Sequence, residues 1–145
     1  MENGDPTPLA EGARPKRALV LPGGGGRGAY QVGVVKALYE KGLTFDMAFG
    51  TSIGGINAAV VAQGGIERLE ELWCQIRAQD IFKLPSPHQM GRMLLGHKLG
   101  LLDNSPLEEL LRREVNLPKL RSSNMQIGWC ATDLCSLETK LFMMD

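Results

Sequence analysis

Several residue types are scarce in this chain, and each scarcity narrows its chemistry. Cysteine occurs three times in 145 residues, at Cys74, Cys130 and Cys135, with no C-x-x-C spacing. An odd, scattered set indicates neither a disulfide framework nor a zinc site, and a reducing, cytoplasmic setting is expected. No charge sign dominates: Lys+Arg and Asp+Glu are both 16, so the net charge is zero. A nucleic-acid partner needs a positive footprint, and none is expected here. No stretch reaches the ~18 apolar residues that span a bilayer, so membrane contact is expected to be peripheral at most. Residues 1–16 are polar, hold Pro and Gly, and lack the apolar centre of a signal peptide. They read as a flexible tail before a single domain at 17–145.

Glycine is what the chain has in quantity, 18 residues, and two of its clusters follow short apolar runs. The first run, Arg17 to Pro22, has the continuous apolar character of a buried parallel strand, with Pro22 where no ladder hydrogen bond is needed. Gly23-Gly24-Gly25-Gly26-Arg27-Gly28 then opens a helix expected over Ala29–Lys41, with Val32, Val35, Ala37, Leu38 and Tyr39 on its apolar side. Gly42 stops that helix as a C′ glycine, and Leu43 to Gly50 returns as a strand, completing a βαβ unit. Bare amides in such a strand-to-helix loop converge on negative charge. In acyl transfer that charge is the oxyanion of the tetrahedral intermediate. Arg27 either shapes the loop and adds positive potential or makes a surface salt bridge.

The second cluster is Gly50-Thr51-Ser52-Ile53-Gly54, between an apolar run and a helix of small residues beginning near Ile56. A serine hydroxyl is a poor nucleophile until it is exposed and deprotonated. A G-x-S-x-G bend does the exposing, lifting Ser52 above the sheet beside the first amides of the helix. The alternative for Ser52 is an ordinary N-cap. The pentapeptide alone leaves both open.

Together the two segments resemble the patatin-like phospholipases. The first is similar to that family's G-G-G-x-R/K-G oxyanion loop, and Gly50 to Ala59 is similar to its serine elbow. Ala29 to Val34 and Leu101 to Leu107 are similar to further family segments. The resemblance implies a three-layer α/β/α domain and a lipid acyl hydrolase with no metal or organic cofactor. It implies Ser52 as nucleophile, an oxyanion hole at Gly24, Gly25, Gly26 and Arg27, and an elbow at Gly50, Thr51, Ile53 and Gly54. The substrate is then a lipid or phospholipid ester.

The resemblance also implies a Ser–Asp dyad whose Asp lies in a D-G-G or D-G-A motif, yet no Asp-Gly pair occurs in the chain. Asp80, Asp103, Asp133 and Asp145 lie outside any such context, Asp133 being expected to end a strand. The chain is therefore expected to be the N-terminal part of a longer domain, with its ester hydrolysis weakened on the order of 10²–10⁴-fold by the missing base.

Two rivals stand beside this reading. Gly23, Gly25 and Gly28 satisfy G-x-G-x-x-G, and a dinucleotide-binding module would use Asp46 on the ribose. However, Asp46 lies at the beginning of its strand, where that fingerprint wants an acid at the end. A non-catalytic homologue is the other rival.

Further along, Ile66, Leu69, Leu72, Trp73 and Ile76 recur at helical spacing and predict an amphipathic helix over a sheet. Ser105-Pro106-Leu107-Glu108 starts a helix to about Val115, and Met125–Thr132 and Leu137–Met144 read as strands. Residues 90–102 mix Met and Leu with basic groups. They read as a partly buried helix or as a lid making peripheral membrane contact, the former being favoured. His88 and His97 in the same region are expected to face solvent or headgroups.

Overall fold

The computed structural model describes residues 14–77, 105–133 and 135–144. Asp80, His88, residues 90–102 with His97, Asp103 and Asp145 lie outside the described residues.

Four strands form one sheet in the order β1 (Ala18–Leu21), β2 (Met47–Thr51), β3 (Gln126–Thr132), β4 (Thr139–Met143). The first three are parallel and the last is antiparallel, a hairpin partner of β3. Because each parallel step goes to the next position on the same side, right-handed crossovers lay their helices on a single face. Helices α1 (Gly28–Glu40), α2 (Ile53–Ala62) and α3 (Ile66–Gln75) follow that rule, joined by α4 (Ser105–Glu114) and the five-residue α5 (Leu117–Arg121).

The α/β class expected from the sequence holds, and the described residues supply two of its three layers. Leu19, Leu21, Ala48 and Ile127 are buried beneath the helices. On the opposite face Val20 is 68% exposed, and Leu141 and Met143 are also open to solvent. Strand β1 is consequently half-buried, where a strand buried on both faces was expected.

Helix α2 is the centre of the core. All its residues except Ile56 are buried, a pattern natural for Gly-Gly-Ile-Asn-Ala-Ala-Val-Val enclosed on every side. It lies on the sheet, while α3 packs mainly onto α1 and α2 instead of directly on the sheet. Leu69 and Leu72 are the buried residues of α3, with Ile66, Trp73 and Ile76 packed at its margins.

Helix α1 ends in a Schellman motif: Gly42 N–H donates to Tyr39 (2.8 Å) and Leu43 N–H to Leu38 (3.0 Å), with Gly42 at φ 73°. Ala37, expected on the apolar side, is exposed.

Strand β2 starts four residues later than expected. The backbone amides of Asp46 and Met47 both donate to the Arg17 carbonyl (2.8 and 3.2 Å). The Asp46 carboxylate takes the Arg17 amide (2.8 Å) and both arms of the Arg14 guanidinium (2.7 and 2.8 Å). Leu43–Phe45 are left as a connection, the Phe45 ring lying 5.9 Å from that of Tyr39. Leu137, expected in the last strand, sits at φ 57° in the β3–β4 turn.

Candidate active site

One residue makes the turn from β2 to α2. Ser52 has φ 52° and ψ −126°, a region side chains rarely enter, at a cost of about 1–3 kcal/mol. The flanking glycines make the bend possible. A Cβ at Gly50 would collide with the Gly54 carbonyl and the Gly55 amide, and one at Gly54 with the carbonyls of Leu21 and Pro22. The first turn of α2 thus lies against the end of β1 with no room for side chains. The Ser52 carbonyl accepts from the amides of Gly55 (2.9 Å) and Ile56 (3.4 Å), starting the helix.

Ser52 itself is exposed, and its hydroxyl makes no capping bond. Ser52 is thus the N-cap of α2 by position, without the side-chain hydrogen bond to a helix amide that the N-cap alternative requires. The amides of Ile53 and Gly54 have no acceptor among the described residues.

The glycine loop meets this corner. A Cβ placed on Gly23 would stand 3.4 Å from the Ser52 Cβ. Gly23, absent from the oxyanion set read from the sequence, is the loop glycine that comes within 4 Å of the serine by this measure. Gly25–Arg27 form a 3-10 turn in which Arg27 N–H donates to the Gly24 carbonyl (3.2 Å), and Gly25 sits at φ 56°. The amides of Gly23 to Gly26 donate to no acceptor among the described residues. The Arg27 side chain folds back on Gly24, its Nε 3.5 Å from a Cβ built there, and makes no ion pair among the described residues. That favours loop shaping over the surface salt bridge.

Behind the loop lies a buried polar chain that sequence reasoning missed. Trp73 Nε1 donates to Asn57 Oδ1 (3.0 Å), and Asn57 Nδ2 donates to the Gly28 carbonyl (3.0 Å) and to Gln31 Oε1 (2.9 Å). Gln31 Nε2 donates to the Pro22 carbonyl (2.6 Å). Asn57 is 1% exposed and Gln31 9%. The available signal was an asparagine inside an otherwise apolar helix, since a buried amide requires partners.

Ser52, Gly25 and Gly26 open onto a cleft of about 660 Å³. Its walls are apolar: Ile53 and Ile56 from α2, Trp73 from α3 and Ile76 directly after it, Leu107 and Leu111 from α4, and Trp129 from β3. Arg77 also lines it, and no carboxylate or imidazole does among the described residues. Trp129 Nε1 donates to the Gly55 carbonyl (3.2 Å), fixing one indole beside the elbow.

The carboxylates with displaced ionisation are occupied elsewhere. Hydrogen bonds from Arg14 and the Arg17 amide lower Asp46 to about 2. Asp46 precedes β2, at the opposite end from the glycine loop, so the ribose clamp of a dinucleotide site is not formed. Asp133 directly follows β3 as expected. Its carboxyl is held low by Lys140 (2.5 Å) and by the turn amides of Cys135 and Ser136. Glu114 on α4, its side chain 4% exposed, is held low by Arg68 against its own burial, with Arg113 assisting. Its Arg68 bonds (2.8 and 2.9 Å) tie the α4 wall of the cleft to α3.

Known proteins share these segments. A family profile described as patatin-like phospholipase matches residues 19–128, more than half of the chain. "Lysophospholipase nte1" of Aspergillus terreus is 58% identical over 45 residues, 31% of this chain and 3% of the relative. "Patatin-like phospholipase domain-containing protein 6" of Homo sapiens is 52% identical over 46 residues, 32% of this chain and 3% of the relative. "Patatin-like phospholipase domain-containing protein 7" of Rattus norvegicus is 47% identical over 60 residues, 41% of this chain and 4% of the relative. The matches thus span about 3–4% of the length of these curated relatives. The chain belongs to the patatin-like phospholipase family.

Proposed function

We propose that this site is the nucleophile half of a serine acyl hydrolase acting on lipid esters, with Ser52 as the attacking residue. The observation that carries the reading is the exposed serine at φ 52°, ψ −126° on the mouth of an apolar cleft, with a glycine loop beside it. A strained, solvent-facing serine with no structural hydrogen bond has no packing role that would justify its cost.

In this reading the acyl chain lies between Trp73 and Trp129, and its ester carbonyl stands over Ser52. Attack by Oγ places negative charge on the carbonyl oxygen. The amide of Ile53, at the positive end of α2, and amides of the Gly23–Gly26 loop receive that charge. The acyl group passes to Ser52, the alcohol leaves with a proton, and water completes hydrolysis. The cleft selects for hydrocarbon, and a single-chain phospholipid ester is the natural first substrate given that relatives are named lysophospholipases. A cytoplasmic setting belongs to the same proposal, and peripheral contact with a lipid surface through residues 90–102 is its secondary reading.

A general base is the part without a candidate among the described residues. With no Asp-Gly pair in the chain, turnover is proposed to be weak, by the 10²–10⁴-fold or so that a base contributes. Reaction with a fluorophosphonate probe separates nucleophile from turnover. Mass spectrometry should find the adduct on Ser52 and none on a Ser52→Ala chain. A chain that takes up no probe, or takes it up elsewhere, ends the hydrolase reading; tight NAD or FAD binding would point to the dinucleotide alternative.

A further inference from the structure

We propose that Gln31, braced by Asn57 and Trp73, is a positioning residue that aims the Gly23 amide at the oxyanion beside Ser52. The inference rests on the serine hydrolase reading and adds to it a specific donor and the device that orients it.

In a trans peptide the carbonyl and the following N–H point in opposite directions, and the chain has no cis peptide among its described residues. Gln31 Nε2 holds the Pro22 carbonyl at 2.6 Å, turning it toward α1. The Gly23 N–H must then project away from α1, from the residue whose Cβ position is 3.4 Å from Ser52. That amide donates to nothing among the described residues. Fixing one carbonyl thus fixes the direction of one free donor, on a residue whose Cβ position is 3.4 Å from the Ser52 Cβ and 3.5 Å from the Thr51 carbonyl oxygen.

The direction of the chain behind Gln31 is also fixed. An indole N–H can only donate, so Trp73 obliges Asn57 to present its oxygen there and its amine to Gln31 and to the Gly28 carbonyl. Gln31 must in turn present its oxygen to Asn57 and its amine to Pro22. Turning either amide over would bring oxygen against oxygen. Two carbonyls flanking the glycine run, Pro22 and Gly28, are thereby tied to α2, the helix that carries the elbow. Trp73 also lines the cleft, so the wall that would touch an acyl chain is the origin of the same hydrogen-bond chain.

The test uses the whole chain with a fluorophosphonate probe, whose phosphoryl oxygen occupies the oxyanion position. Ser52 Oγ bonds to phosphorus, fluoride leaves and the hydroxyl proton passes to buffer. Gln31→Glu keeps the shape and the acceptor for Asn57 but presents an oxygen to the Pro22 carbonyl. At pH 8 the maximal labelling rate should fall about 10–100-fold, somewhat less than the loss of an oxyanion donor outright. The half-saturating probe concentration should stay unchanged. As the pH falls toward 5 the introduced carboxyl protonates and can donate again, so the rate relative to the native chain should recover. A residue that merely filled space would give no such recovery.

Equal labelling of Gln31→Glu and the native chain at pH 8, with both melting cooperatively, overturns the proposal and leaves Ser52 as nucleophile. A native chain that does not label at Ser52 overturns the underlying reading as well. Should Gln31→Glu not fold, Gln31→Met decides. It keeps the side-chain length, lies outside the cleft lining and removes the donor to the Pro22 carbonyl, so slowed labelling at unchanged half-saturation supports the proposal and native-like labelling refutes it.

Discussion

Replacing Gly54 by alanine tests whether the elbow is held by backbone contact. The added Cβ has nowhere to go: the atoms it meets are the Leu21 and Pro22 carbonyl groups, at the end of a strand that is paired along its length with β2. Neither can rotate away as a side chain could. Overpacking of this kind costs typically 1–3 kcal/mol, and rigid surroundings put it near the upper end, about 3 kcal/mol. Alanine also recovers about 1 kcal/mol of helix propensity over glycine, leaving a net loss of about 2 kcal/mol. For a chain of this length that lowers the midpoint of thermal unfolding by roughly 5–10 °C. The first turn of α2 must retreat from β1, and the serine moves with it. A displacement near 1 Å is enough to slow reaction about 100-fold, so fluorophosphonate labelling should fall by that order in the fraction that remains folded. Gly26→Ala is the matched control, since no atom lies within 4 Å of its Cβ position. Its melting midpoint should stay within about 2 °C of the parent. Gly54→Ala melting like the control, with unimpaired labelling, would refute the claim that this contact shapes the corner.

Ser52→Gly should abolish labelling and yet raise the melting midpoint by a few degrees. Relief of the positive φ, worth about 1–3 kcal/mol, exceeds the roughly 0.5–1 kcal/mol entropic cost of glycine, and a lower midpoint would show that the serine is not strained. Glu114→Gln strips the Arg68 fork of its charge and one acceptor, and calorimetry should show a loss of about 1–3 kcal/mol, moderated because Arg68 is half-exposed; no change at low salt would count against α4 being pinned there. Asp46 has its folded pKa depressed to about 2, so its stabilising effect is complete above about pH 4 and is lost as the pH falls through 2. Acid unfolding should therefore show a component between those values that Asp46→Asn removes, and identical acid profiles would exclude the Arg14–Asp46 tie as its source.

What the sequence made legible was local. The order strand, glycine loop, helix, strand, elbow and small-residue helix depends on neighbours a few positions apart, and it appears in the structure with boundaries shifted by only a few residues. Strand β2 starts late because Asp46 is claimed by Arg14 and Arg17, 32 and 29 positions away. Helix α5 is not legible in the sequence because five residues leave no periodicity to read; its one cue is Asn116, whose side chain accepts the Lys119 amide (3.0 Å). Leu137 looked like strand because leucine suits one, while the turn tied by Asp133 requires its left-handed backbone. The candidate site divides the same way. Ser52 and the glycine run announced themselves by spacing, whereas Gln31, Asn57, Trp73 and Trp129 acquire a role only when α1, α2, α3 and β3 converge.

In the proposed reading, that division separates the oxyanion donors from the general base. The geometry at Ser52 is over-determined by main-chain contacts: Gly50 against Gly54, Gly54 against Leu21, and the Pro22 and Gly28 carbonyls held through Gln31 and Asn57. None of these involves a carboxylate or an imidazole. A base sets the protonation of the hydroxyl and contributes nothing to the strain that exposes it. Donors and base are therefore separable, as expected when a triad stripped of a member still retains about 10³–10⁴-fold catalysis from its oxyanion hole and binding. Burial of α2 between sheet and helices offsets the cost of the strained turn. The donors proposed for the oxyanion are thus held by packing and hydrogen bonds that involve no general base.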